Sequence, residues 1–424
     1  MTLTLWHSLA ITFLDSPICR SDSSDRICTP QMESEINPQI CSDPEPKAVS
    51  ICSIVDPCSQ HALHYCERSH CRDADPRFRY LRDDLSRTHL TIMILAGDVG
   101  GTKCNLGLFT KNGPGLRSVF QRRLATRDHS GFEDLIGDFL ERAAGPNNAV
   151  RGQEIEAAGF GLAGVVVDGF LHAGNLPWTL NGSALAQKLH LNNVVLLNDL
   201  TATALSLDRL GSNDFAILNR GIPEHRATRA VIAAGTGLGE AILFWDGERY
   251  RVAPSEGGQA DFAPRTELEI QLLTHLNKQM PHVSCEEIVS GRGFRRIHEF
   301  LKPSLRHSSF DGAEGEAAIE ITQQGLAQSC PVCAQTLQLW VEAYGAETGN
   351  MALRTLALGG VYVAGGIAPK ILAKLRDGSF LRAFCGKSKF APVLARIPIS
   401  VVVNEDAPVW GAAYQALSSG DSNH

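Results

Sequence analysis

From Met93 onward the sequence predicts an α/β fold. Short apolar runs of strand length alternate with longer segments of helical period. Twice, an apolar run enters a glycine-rich turn and a second apolar run leaves it, at Ile94–Phe109 and at Val231–Phe244. At roughly 100–200 residues per domain, a chain of 424 residues is long enough for two or three folded units.

The first of these stretches reads strand, tight turn, strand. Ile94, Leu95 and Ala96 enter a turn built from Gly97, Asp98, Gly100 and Gly101. Thr102 follows, and Cys104–Phe109 leaves. Successive backbone N–H groups in such a turn form a concavity suited to phosphate oxygens, and an ordinary hairpin is the competing reading. Asp98 sits at its mouth, where a carboxylate suits hydrated Mg²⁺. Ser118–Thr126 is expected to add a strand, and Gly131–Ala144 a helix, with Phe132, Leu135, Ile136, Phe139 and Leu140 on one face. Gly159–Gly164 spells G-x-G-x-x-G, but the strand-like Val165-Val166-Val167 follows where a dinucleotide fingerprint needs a helix.

Asn181–Leu189 reads as a short helix. The apolar strand Val194–Leu197 then ends in Asn198-Asp199, and Leu200–Leu210 reads as helix. A polar pair at the end of a buried strand lies where α/β folds place chemistry; capping of the next helix is the alternative. Val231–Phe244 repeats the first hairpin around Gly235-Thr236-Gly237, which suggests an internal duplication with one phosphate loop per half. Neither turn fits the Walker pattern.

Pro254–Phe262 is a polar, glycine-bent loop whose Glu256 and Gln259 suit a polyhydroxylated ligand or plain solvent. Thr266–Asn277 is expected to be a helix. Glu286 and Glu287 precede Gly291-Arg292-Gly293 and a further helix, and either offer a ligand group or start that helix. Phe310–Glu316 reads as a flexible insertion and Thr322–Ser329 as helical. A lone Cys330-x-x-Cys333 lacks two further zinc ligands in its vicinity, so it reads as packed thiols. Gln335–Leu356 is a long helix. Val361–Ile367 is a strand ending in Gly365-Gly366, which suits a flat adenosine. Pro398–Val403 and Ala407–Leu417 close the chain as strand and helix.

Residues 1–92 differ in kind. All 39 glycines lie after them, while seven of the twelve cysteines lie within them. They show no sustained period and read as disordered or as a mis-called extension before a true start at Met93. Net charge is −7 without a basic stripe, which argues against nucleic acid, and no apolar run approaches the roughly 20 residues that span a bilayer.

In order, Gly97–Thr102, Leu197–Asp199, Ala234–Gly239, Glu256–Gly258, Ser284–Gly293 and Ala364–Ile367 resemble the motifs of bacterial ATP-dependent glucokinases, within the hexokinase and actin superfamily. The resemblance runs from about Met93 to Leu417. It implies a two-domain actin-like ATPase (ribonuclease H-like) α/β fold around a central cleft. Residues 93–208, completed by 405–420, would form the smaller domain and 209–404 the larger. It implies glucose and ATP as substrates, Mg²⁺ as cofactor, a cytoplasmic enzyme, and a homodimer as one assembly open to it.

By the same resemblance, Gly97, Asp98, Val99, Gly100, Gly101 and Thr102 would form the first phosphate loop and Gly235, Thr236 and Gly237 the second, with Gly365 and Gly366 against adenosine. Asp98 would serve the metal. Asn198, Asp199, Glu256, Gln259 and Glu286 would hold the sugar, with Asp199 as base. The family pattern often reads Glu-Gly-Gly-His; here Gln259 stands in place of that His and carries no charge. A sugar-responsive regulator on a related kinase fold is the alternative, and it would need a helix-turn-helix before the first phosphate loop.

Overall fold

The structure is a computed structural model that describes residues 93–113, 115–145, 154–174, 176–312 and 315–420. The readings made of residues 1–92 lie outside the described residues.

The chain first builds β1 (Met93–Val99), β2 (Lys103–Asn112) and β3 (Gly115–Ala125), then α1 (Phe132–Ala143) and β4 (Ile155–Leu162). A ribbon, β5 (Gly164–Val167) with β6 (Phe170–Gly174), follows directly, so no helix opens at the G-x-G-x-x-G stretch. Next come α2 (Gly182–Leu189), β7 (Asn193–Asn198) and α3 (Asp199–Ser206). The strands form one five-stranded sheet in the order β3-β2-β1-β4-β7.

The second half opens with β8 (Phe215–Asn219), β9 (Arg229–Ala234), β10 (Leu238–Trp245) and β11 (Tyr250–Ser255). Helices α4 (Glu267–Leu276), α5 (Cys285–Ile288), α6 (Gly291–Leu301), α7 (Glu316–Leu326) and α8 (Pro331–Thr355) follow. Then come β12 (Gly360–Ala364), α9 (Leu372–Leu375), α10 (Ser379–Cys385), α11 (Ala391–Leu394), β13 (Ile399–Val402) and α12 (Ala407–Gly420). Their sheet has six strands in the order β11-β10-β9-β12-β13-β8.

The two sheets repeat one plan. In each, a meander of three antiparallel strands is extended by two parallel ones, β4 and β7 in the first sheet and β12 and β13 in the second. The glycine-rich turns β1–β2 and β9–β10 occupy the same place in each plan. β8 is an addition, antiparallel to β13. Among the described residues no helix is long and apolar enough to cross a membrane.

Local chemistry explains the main helices. α1 buries Phe132, Leu135, Ile136 and Phe139 at helical spacing against β1, β2 and β4 residues such as Leu95, Leu106 and Phe160. α4 starts at a capping box, with Thr266 and Glu269 satisfying each other's backbone N–H groups. α8 starts with Pro331 in its first turn, and its buried Trp340 and Tyr344 anchor the second core. α12 packs on the opposite face of the first sheet through small residues. That contact demands glycine: a Cβ on Gly159 would lie 2.3 Å from the Ala412 carbonyl oxygen; α12 approaches α3 as closely, and a Cβ on Gly411 would lie 1.7 Å from the Ala202 carbonyl oxygen. α3 fits between the layers, its Leu200, Ala204 and Leu207 packing with Val231, Ala241 and Leu243 of the second sheet.

Candidate active site

The first glycine turn is formed by Gly100, Gly101 and Thr102. It closes through the Gly100 N–H donating to the Lys103 carbonyl at 3.0 Å. Thr126 braces it from the end of β3: its Oγ1 donates to the Gly100 carbonyl at 2.7 Å and its N–H to the Thr102 carbonyl at 3.0 Å. Gly101 and Thr102 are exposed, while Gly97 and Val99 are buried strand residues. A Cβ on Gly97 would lie 2.4 Å from Leu106 Cδ2, so the missing side chain serves packing. Lys103 starts β2 with its side chain exposed.

Strand alternation puts Ile94, Ala96 and Asp98 on the face covered by α12 and α3. Asp98 pairs across the sheet with Gly161 of β4, and Leu162 pairs with Asn198 of β7. A Cβ on Gly161 would approach Ala202 Cβ at 3.1 Å and Asp199 Cα at 3.5 Å, so the glycine lets α3 sit close to β4. The result is a pair of interacting carboxylates, Asp98 and Asp199. Burial, then the Asp199 charge, pushes the Asp98 carboxyl up to about 7, while Lys103 and Arg123 pull the other way and Asp406 adds repulsion.

Asn198 ends β7 and caps α3. Its Oδ1 accepts from the Leu200 and Thr201 N–H groups at 2.9 and 3.1 Å, and its Nδ2 donates to the Gly164 carbonyl at 3.0 Å. The cap fixes where the helix starts and therefore where Asp199, its first residue, points. Asp199 Oδ1 accepts from the Leu200 N–H at 2.8 Å. Burial raises its carboxyl above the ordinary range; the Leu200 N–H opposes this and the Glu256 charge adds to it.

The start of β10 is a junction for the other candidates. The second turn closes through the Gly235 N–H donating to the Gly237 carbonyl at 2.8 Å. Glu286, in α5, accepts there from the Leu238 N–H at 2.9 Å and from the Arg292 guanidinium at 3.0 Å. A Cβ on Gly237 would lie 2.5 Å from Glu286 Oε2. The loop Glu256–Gln259 is pressed onto the same strand: a Cβ on Gly258 would lie 2.0 Å from the Leu238 carbonyl oxygen, and one on Gly257 2.0 Å from Glu240 Oε2. Glu256 and Gln259 themselves are exposed.

Beside the turn, Gly365 takes the left-handed φ of +86°, and a Cβ on it would strike Ala234. Cβ atoms built on Gly366 and Gly235 meet nothing within 4 Å, so open space lies beside both glycines. Arg292 donates from the first turn of α6, whose Gly291 N–H reaches the Gly235 carbonyl at 2.8 Å. Glu287, adjacent to Glu286 in sequence, pairs instead with Arg296 of α6.

Sequence reasoning did not single out Glu240. It is a lone carboxylate inside an apolar strand, which was the available signal. It is 4% exposed, and its Oε1 has no hydrogen-bond partner. Burial, then the Glu347 charge, pushes it up to about 7, against Arg354. Asp406, which opens the turn into α12, was also missed. It accepts from Asn105 Nδ2 at 2.8 Å and from Arg123 at 3.2 Å, which ties the N-terminus of α12 to β2 and β3.

Duplicated α/β halves with glycine turns at equivalent strand ends, and carboxylates beside them, define a two-domain actin-like ATPase fold of the sugar kinase class. The solved glucokinase of an Antarctic psychrotroph superposes with a TM-score of 0.66 at 26% identity, covering 77% of this chain and 99% of that one. The Balamuthia mandrillaris glucokinase, solved in complex with glucose, gives 0.64 at 20% identity over 77% and 94% of the two chains. The glucokinase of Nostoc sp. (strain PCC 7120) is 36% identical over 340 residues, covering 76% of this chain and 98% of the relative. That of Chromobacterium violaceum is 32% identical over 321 residues, covering 75% and 88%. The glucokinase family model matches residues 95–419, and the chain belongs to the glucokinase family.

Proposed function

We infer that this chain transfers the γ-phosphoryl group of ATP to the 6-hydroxyl of D-glucose, giving glucose 6-phosphate and ADP. The observation that carries the reading is the interacting carboxylate pair Asp98, near the end of β1 beside the first glycine turn, and Asp199, at the start of α3 after β7, with β4 between the two strands. In this reading residues 93–208 with 405–420 form the smaller domain, 209–404 the larger, and both substrates sit between them.

Phosphoryl transfer asks for positioning and charge stabilisation more than for covalent chemistry. Asp199 orients the sugar hydroxyl and accepts its proton as the new bond forms. Its raised proton affinity makes it a stronger base than an exposed carboxylate. Asn198 holds the α3 start that aims it. Glu256, Gln259 and Glu286 accept from or donate to the remaining hydroxyls. Gln259 does so without charge. The two turns, closed by the Gly100 and Gly235 N–H groups, present the backbone N–H groups of Gly101–Thr102 and Thr236–Gly237 to the phosphates, and Gly365-Gly366 lies along the adenosine.

Asp98 suits a hard cation: a buried carboxylate, crowded further by the Asp199 charge, that a divalent ion would compensate. Asp98 would hold Mg²⁺, through water or directly. When bound, the ion neutralises charge on the triphosphate. A coupled ADP-release assay on the full chain across glucose, mannose, fructose and N-acetylglucosamine tests the assignment. Glucose-dependent ADP release is expected. ADP release without regard to sugar, or none with any of the four, would overturn it.

A further inference from the structure

The sequence offers Cys330 and Cys333 with no further ligand near them in the chain, and reads them as packed thiols. The structure packs both thiols and brings two further ligand groups to them. His298, from α6, and His307, from the loop after α6, arrive beside the two thiols. One ligand atom from each of the four residues lies within 4.8 Å of all the others. We propose that Cys330, Cys333, His298 and His307 form a structural zinc site that staples α6, the 302–312 loop and α8 together.

Four observations carry this. First, His298 is fully buried, and neither of its ring nitrogens has a hydrogen-bond partner. A buried imidazole with two orphaned nitrogens is costly, and a metal removes that cost by taking one of them as ligand. Second, the geometry is near that of a closed site. Zinc bonds of about 2.3 Å to sulfur and about 2.0–2.1 Å to nitrogen place tetrahedral ligands roughly 3.3–3.8 Å apart. His307 Nε2 already lies 3.2 Å from Cys333 Sγ and 3.9 Å from Cys330 Sγ.

Third, the far nitrogen of His307 is braced as in metal-bound histidines. Its Nδ1 faces Glu320 Oε1 at 3.5 Å and Gln324 Nε2 at 3.4 Å. Glu320 is itself fixed by the Ser309 N–H at 3.1 Å and Gln324 Nε2 at 2.8 Å. A carboxylate on the second nitrogen sets the tautomer that leaves Nε2 free to ligate. Fourth, the thiols are presented as a chelate. Cys330 is the N-cap of α8, and its Sγ accepts from the Cys333 N–H at 3.4 Å.

The surroundings match a structural role. Phe310, placed by sequence in a flexible insertion, is 2% exposed and packs edge-on against both imidazoles at 5.1 and 5.5 Å. Four protein ligands leave no open position for a substrate, and two thiolates with two imidazoles favour zinc over magnesium or calcium. Loading is written Zn²⁺ + 2 Cys–SH + 2 His → Zn(Cys–S)₂(His)₂ + 2 H⁺, with no oxidant or reductant needed. The site adds to the kinase reading and does not depend on it. Its own helix, α6, begins at the second glycine turn, two helical turns before His298.

The test uses the full chain, reduced and metal-stripped, titrated with Co²⁺ as a spectroscopic stand-in for zinc. The wild type is expected to show thiolate-to-cobalt charge transfer and the strong visible bands of tetrahedral cobalt, both displaced by one equivalent of Zn²⁺. Cys330→Ser/Cys333→Ser should lose these bands while keeping every N-terminal cysteine, so the difference reports on this pair. Glu320→Gln, which leaves all four ligands in place, should weaken zinc binding by about 10–100-fold. A wild type with no thiolate–cobalt band, a double variant with an unchanged spectrum, or a Glu320→Gln variant with unchanged zinc affinity would overturn the proposal.

Discussion

Replacing Asp98 with Asn tests whether burial of this carboxyl, with the Asp199 charge beside it, leaves a cost for a cation to relieve. Asp98 in the folded chain keeps its proton to about pH 7, against 3.8 for the unfolded group. Between these values the native state binds more protons than the unfolded one, so stability falls as pH rises, and the full loss is present above about pH 7. A difference of 3.2 units at 1.36 kcal/mol each is about 4 kcal/mol at pH 8. Asn keeps the shape and carries no charge. Asp98→Asn should therefore match the wild type near pH 4 and exceed it by up to about 4 kcal/mol at pH 8. Urea unfolding of both proteins at pH 5, 6.5 and 8, without nucleotide, reads this directly. Mg·ATP should then raise the wild-type melting temperature more than the variant's. Parallel stability profiles for the two proteins across that range would refute the reasoning.

Other outcomes follow from the same geometry. Gly237→Ala, whose Cβ meets the movable end of Glu286, should raise KM for ATP and glucose together while the protein melts normally. Gly258→Ala meets the Leu238 backbone instead and should lower the melting temperature by several degrees. Glu240→Gln removes a carboxyl held up to about 7 against a usual 4.5. Urea unfolding should show the variant more stable than the wild type by up to about 3 kcal/mol at pH 8, with no gain near pH 4.5.

Much of the architecture was legible because its strands are apolar runs bounded by glycine. Both glycine turns, β7, β12, β13 and α12 fall where the sequence puts them. The strands that were missed are edge strands. β11 carries Arg251 and Pro254 and pairs only with β10, so its sequence looks like a loop. β8 pairs only with β13, and most of its side chains are half-buried. Helix α6 starts at Gly291, earlier than the glycines suggest, because Ser290 caps it.

The site was legible where motifs are local, as at Asn198-Asp199. It was not where partners come from far along the chain. Nothing in the order of residues tells that Glu286 turns to the Leu238 N–H while Glu287 turns to Arg296. Nor does it tell that Phe310 is buried beside His298 and His307. The polar composition around Phe310 hides a long-range contact that only the packed helices reveal.

Phosphoryl transfer by this chain turns on Asp199 as the proton acceptor, and Asp199→Asn isolates that role. Asn fits the same space at the start of α3, where the capping atoms belong to Asn198 and remain in place. Fold and ATP binding should therefore be retained, and a general base typically supplies on the order of 10²–10⁴-fold in rate. The decisive measurement is kcat for glucose phosphorylation by the purified variant, alongside its melting temperature and ATP affinity. A fall of at least about 10²-fold, with both controls at wild-type values, is the predicted result. Turnover near that of the wild type would contradict the account and leave Asp199 as a structural residue of α3.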